Sequence, residues 1–160
     1  EQIVLPVIDA GCITRAVLGK HWRAATPEQH ARFTEEFQTL LIRTYAAPLV
    51  NYTDVDITYL PLKVSEAKDH VTVRTLIRYG KEEPVPVHYW LRHRNGEWKA
   101  CDVTIAGVSA AITLRSAFSH EIQKTGLEGF LDRLAQHNRK QQLRPADDTE
   151  IPLPEFGSKQ

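Results

Sequence analysis

Two cysteines, seven histidines and a scatter of arginines are the residues of this chain from which chemistry could be built. Cys12 and Cys101 permit one disulfide, but they form neither a metal-ligand spacing nor a Cys-x-x-Cys redox pair. The ordinary fate of a free cysteine is burial as a small apolar residue, and that is the expectation for both. The histidines fall in no His-Glu-x-x-His pattern, and neither cysteine stands near a histidine in a recognisable nucleophile setting. Asp102 and His88 could serve as an acid and base pair if the fold joined them. The preferred reading of Asp102 is structural, holding a neighbouring loop through backbone hydrogen bonds. Arg15 and Arg115 could contact a phosphate, since guanidinium makes charge-assisted pairs with its oxygens. The competing reading is a structural pair or a surface position. No catalytic residue, metal or cofactor is expected, so the chain reads as a non-enzyme.

The bulk properties narrow the partners. A length of 160 residues suits one domain, and 42% hydrophobic content is enough to build a core. Twenty basic and twenty acidic residues cancel, without the positive field that a nucleic-acid backbone demands. No run approaches the roughly 18 apolar residues of a membrane span, so no transmembrane segment is expected. The chain begins at Glu1 and contains no methionine, which fits a processed protein whose signal peptide is no longer present.

Positioning elements follow from periodicity. The segment from Ile3 to Trp22 reads as a short helix or turn followed by another short helix. Thr26, Pro27 and Gln29 supply an N-cap, a first-turn proline and the glutamine of a capping box, so a helix starts there. Phe33, Phe37, Leu40, Leu41, Thr44 and Tyr45 recur at helical spacing, which predicts a helix to about Ala47. From Val55 the period changes to two, predicting strands at Val55 to Leu60, Val71 to Arg78, Val85 to His93 and Trp98 to Ala106. Asn95 and Gly96 make the last two a hairpin. A plain two-residue turn pairs Tyr89 with Asp102, whereas one bulged residue pairs Tyr89 with Val103 and Val87 with Ile105. The bulge is favoured because it gathers the apolar residues on one face. Gly107 is assigned to the strand-to-helix turn, and Ser109 can cap a helix running to about Lys124, with Gly126 as its stop. Leu127, Phe130, Leu131 and Leu134 form the face of a shorter helix. Residues 139–160 read as an extended or disordered tail behind a single domain of residues 1–138. The order predicts an α+β domain, a four-stranded mostly antiparallel sheet covered by helices.

Three stretches resemble the MlaC-type, or toluene-tolerance, family of periplasmic lipid-transport proteins. The first runs from Leu5 and Pro6 through VLGKHWRAATPEQHARFTEEFQTLLIRTYAAPLVNY; the second is WKACDVTIAGVSAAITLRSAF; the third is GLEGFLDRL. In the second, Trp98, Asp102, Val103, Gly107, Val108, Ser109, Arg115 and Phe118 match the family pattern in order and spacing. The sequence departs from that pattern at Ala106, where a glutamate is common, and at Cys101, where an aromatic residue is usual.

The resemblance implies an apolar cavity between sheet and helices that holds phospholipid acyl chains with the headgroup toward solvent. It also implies a carrier in the Gram-negative periplasm that exchanges lipid with an outer-membrane lipoprotein complex and an inner-membrane ABC transporter, maintaining outer-membrane lipid asymmetry. The expected walls are Leu18, Phe33, Phe37, Leu41 and Tyr45 from the helices, Val73, Val87, Tyr89, Val103 and Ile105 from the sheet, and Val108 and Phe118 behind it. Arg15 and Arg115 are the headgroup candidates. Two other readings compete: a small isomerase or hydratase using Asp102 and His88, since helix-covered sheets host such enzymes, and a non-catalytic adaptor whose apolar interior is only a core.

Overall fold

The computed structural model describes residues 7–43, 55–62 and 69–142. Helix α1 spans Ala10–Leu18, capped by the Asp9 carboxylate, which accepts from the Cys12 N–H at 2.9 Å. A 3-10 turn, Gly19–Ala24, leads to α2, Pro27–Leu41. The capping box forms as the sequence predicts: Gln29 N–H donates to Thr26 Oγ1 at 3.2 Å, and Thr26 N–H donates to Gln29 Oε1 at 3.1 Å. The expected continuation through Tyr45 to Ala47 lies outside the described residues.

Five antiparallel strands follow in sequence order: β1 Val55–Tyr59, β2 His70–Tyr79, β3 Val85–Arg94, β4 Glu97–Ile105 and β5 Val108–Ser109. The β3–β4 turn has Asn95 at φ 52° and Gly96 at φ 82°, the left-handed pair a tight hairpin requires. Near the turn Arg94 faces Glu97; beyond a shift at Trp90/Leu91, Tyr89 faces Val103 and Val87 faces Ile105. The inserted residue is Cys101, so the favoured bulged register is the one the fold adopts.

The fifth strand corrects the four-strand expectation. Ala106 at φ 49° and Gly107 at φ 84° form a second two-residue reversal, returning Val108 opposite Ile105 and Ser109 opposite Thr104. Gly107 therefore serves a hairpin turn first, before the helix begins. A two-residue strand is too short to show alternation.

Helix α3, Ala110–Gln142, is one continuous run broken at Gly126, whose φ of 71° and ψ of 168° are not helical. Buried Glu121 lies ahead of that break and accepts from Arg133 beyond it at 2.6 Å. The pair clamps the two halves together. The helix passes through Arg139 to Gln142, four residues into the expected tail.

The helices make their own core. Val17, Leu18, Phe33, Phe37, Leu114 and Phe118 cluster with Phe130, Leu131 and Leu134, all at most 2% exposed. A disulfide ties this layer to the sheet. Cys12 and Cys101, with Cα atoms 5.4 Å apart and 89 residues apart in sequence, are bonded, which corrects the expectation of two free buried thiols. Beside it, Ile8 bridges Ala100 in parallel and Asp9 N–H donates to the Ala100 carbonyl at 2.9 Å, fixing the start of α1 along β4.

Candidate functional site

Register decides which residues share a face. Val73 faces Tyr89, Tyr89 faces Val103, Thr75 faces Val87, and Val87 faces Ile105. With Ile57 and Tyr59 from β1, these make one apolar face across four strands. Its centre is buried, with Thr75 at 1% and Ile77 and Val87 at 8% exposure. Its rims are open, with Ile105 at 40%, Ile57 at 49% and Tyr59 at 72%. Burial raises the Tyr89 hydroxyl above its usual pKa, opposed by its hydrogen bond with Thr75.

Among the described residues, the helical cluster and the partly buried hydrophobics packed against it all come from the helical segments, while β4 meets the helices at the Cys12–Cys101 bridge. The expected wall residues accordingly fall into two groups. Val73, Val87, Tyr89, Val103 and Ile105 come together on the sheet face. Leu18, Phe33, Phe37 and Phe118 lie in the helical cluster at 0–1% exposure, with Leu41 half-buried against it. The rings of Phe33 and Phe37 stack at 5.3 Å, and both meet Phe118 edge-on at 6.1 and 6.0 Å. Val108 is 61% exposed at the sheet edge, and Tyr45 lies outside the described residues.

The polar candidates are placed as follows. Arg15 sits 5.8 Å from the ring centroid of Trp22, a cation–π contact on the helical surface. Arg115 lines an open groove of about 550 Å³ between the end of α1 and the first half of α3. Asp102 accepts from the N–H groups of Val103 at 2.8 Å and Ala111 at 3.0 Å and from Ser109 Oγ at 2.5 Å, while Ser109 Oγ accepts from Ile112 N–H at 3.1 Å. A carboxylate and a hydroxyl thus share the cap of α3, where negative charge meets the positive end of the helix. That is the structural role preferred for Asp102. His88 faces Thr104 in the ladder.

The family model described as MlaC protein matches residues 1–136. The chain belongs to the MlaC family. Among MlaC-type relatives, the toluene tolerance protein ttg2D of Pseudomonas putida is 32% identical over 127 residues, which are 79% of this chain and 59% of that protein. The intermembrane phospholipid transport system binding protein MlaC of Haemophilus influenzae is 24% identical over 136 residues, 83% of this chain and 64% of that protein. The chain thus spans about three fifths of the length of these curated relatives. A phospholipid-binding protein from Ralstonia solanacearum, solved in complex with a phospholipid, superposes with a TM-score of 0.80 at 30% identity, covering 88% of this chain and 79% of that one. The fold is therefore shared over most of both chains.

The disulfide and the fifth strand are what sequence reasoning missed here. Cys101 is the bulged residue of β4, and its pairing with Cys12 follows from α1 lying against that bulge. No sequence spacing signals it.

Proposed function

We propose that the chain is a periplasmic phospholipid carrier that holds acyl chains against the apolar face of its sheet and acts without chemical turnover. One observation carries this reading: a continuous apolar sheet face, buried at its centre and open at its rims, contributes no described residue to the buried core that the helices make among themselves. The phospholipid complex of the Ralstonia solanacearum protein supports it, since that protein shares this fold. Two long acyl chains represent transfer energies on the order of 20 kcal/mol, at about 0.8 kcal/mol per methylene. A bilayer offers nearly the same gain. A carrier therefore exchanges lipid with a membrane site near balance while retaining the tails against water. The direction of transport is set by the partners: an outer-membrane lipoprotein complex at one end and an inner-membrane ABC transporter at the other, jointly maintaining outer-membrane lipid asymmetry. Among the described residues no helix is long and apolar enough to cross a membrane.

Native mass spectrometry of gently purified protein tests the reading. A stoichiometric adduct of phospholipid mass is expected, and Val103→Trp should lower its occupancy several-fold in a protein that still folds. Empty protein that also takes up no lipid from phosphatidylethanolamine and phosphatidylglycerol vesicles would instead support an adaptor.

A further inference from the structure

On the other side of β4 lies a second concavity. Trp90 pairs with Asp102 across β3 and β4, and strand alternation points both away from the face that carries Tyr89 and Val103. There Trp90, Ala16, Ala111, Ile112 and the Cys12–Cys101 bridge line an apolar shelf of about 350 Å³. Ile112 is 59% exposed and Trp90 37%. The shelf shares Ile112 and Arg115 with the 550 Å³ groove, so the two concavities adjoin at these side chains.

The groove has the opposite character. Lys20, Arg115 and His120 line it with Ser116, Ser119 and Gln123, and no carboxylate does. The one carboxylate on the shelf, Asp102, is held by Ser109 and two backbone N–H groups in the cap of α3. Arg115 makes no ion pair among the described residues. Its position is built into the chain path: a Cβ at Gly19, whose φ is 54°, would come within 2.9 Å of Arg115 Cδ. Only glycine both adopts that backbone angle and leaves room for the arginine stem across the end of α1.

We propose that this joined shelf and groove is a second ligand site, for a single-chain anionic amphiphile: a phosphate or carboxylate on Arg115 and Lys20, a hydrocarbon tail over Ile112 and Trp90. The ligand chemistry follows from the division of the lining. A guanidinium and an ammonium in a groove lined by no carboxylate attract an anion, and the Ser116 hydroxyl can donate to its oxygens, while Ser119 Oγ shares a hydrogen bond with His21 Nε2 at 3.1 Å. An exposed Ile and Trp side by side gain only from an apolar group. The sheet lies between this site and the apolar face assigned to the cargo, so the two ligands bind at once.

The test titrates the full chain with dodecyl phosphate below its micelle concentration, reading Trp fluorescence and calorimetric stoichiometry, with inorganic phosphate and dodecyltrimethylammonium as comparison ligands. One equivalent of dodecyl phosphate should bind whether or not phospholipid occupies the protein, and inorganic phosphate should bind at least tenfold more weakly. Arg115→Gln and Ile112→Ser should each weaken dodecyl phosphate at least tenfold, whereas Val103→Trp, which obstructs the sheet face, should leave it unchanged. Both altered residues of the site are exposed, and circular dichroism verifies that the variants fold. The proposal is overturned if dodecyl phosphate displaces phospholipid one for one, if Val103→Trp abolishes its binding, or if Arg115→Gln binds it as the parent does. Equal affinity for inorganic phosphate overturns the amphiphile in favour of a plain anion site, and equal affinity for the cationic amphiphile overturns the anion specificity. Failure of the phospholipid reading shows separately, as absence of the native phospholipid adduct with dodecyl phosphate binding intact.

Discussion

The helical layer and the sheet face are built from similar residues and reach different ends. Phe33, Phe37, Phe118 and Phe130 are 0% exposed, with ring centroids 4.9 to 6.3 Å apart, so each ring is surrounded by other rings. On the sheet, Tyr89 is half-buried, Ile105 and Ile57 are exposed, and none joins the helical cluster among the described residues. Both regions are apolar and periodic. Periodicity reports that a face avoids water; it does not report whether protein or another molecule covers that face. The filled layer supplies stability, and the proposed role of the sheet face is to take up a ligand at its open rims.

Deleting a ring from the filled side should have the largest effect. Phe118→Ala should lower unfolding free energy by about 3–5 kcal/mol in urea titrations, as a large cavity opens among packed rings. Val103→Ala, on the sheet face, should cost about 1 kcal/mol or less in lipid-free protein, because Val103 is only half-buried and is no part of the buried helical core. Equal losses at both positions would break the comparison and show one shared core.

Next is the link between the two regions. Replacing Cys12 and Cys101 together with alanine should cost about 2–4 kcal/mol, since the bridge closes a long loop in the unfolded chain. The same shift should appear when the parent protein is melted with dithiothreitol. An unchanged midpoint in both experiments would mean that the Ile8–Ala100 bridge and the contact of α1 with β4 suffice to join the layers.

The smallest effect is acid sensitivity of the helical layer. Burial first, and then Lys20, lowers the pKa of His21; burial first, and then Lys140, lowers that of His137. Both residues titrate below their unfolded value of 6.5, so the unfolded chain binds more protons in that range. Their contribution to stability is complete above pH 6.5 and is lost as pH falls through their folded values. Denaturation midpoints should therefore drop from pH 7 toward pH 5, and His21→Gln with His137→Gln should flatten that slope. A slope unchanged in the double variant would assign the acid response to other groups.

Much of this architecture was legible in residue order. Thr26, Pro27 and Gln29 announce α2 because capping is local chemistry, satisfied within one turn. Asn95 and Gly96 announce the hairpin because positive φ is a property of single residues. Even the bulge could be inferred, since only one register places Val87, Tyr89, Val103 and Ile105 on a common face. The short β5 was not legible: Ala106 at positive φ is an uncommon choice, and two residues cannot display a period.

The sequence by itself determined the local elements other than β5, the register of the β3–β4 hairpin and the family to which the chain belongs, because each rests on neighbouring residues or on a pattern written along the chain. Tertiary structure alone decided three things. It bonded Cys12 to Cys101 by laying α1 along the bulge of β4, and it packed Phe33, Phe37 and Phe118 into a core of their own. It also placed Arg115 in a groove whose lining lacks carboxylates. Each depends on which distant segments meet, and apolar periodicity, being the same for a core and for a binding surface, carries no record of the partner.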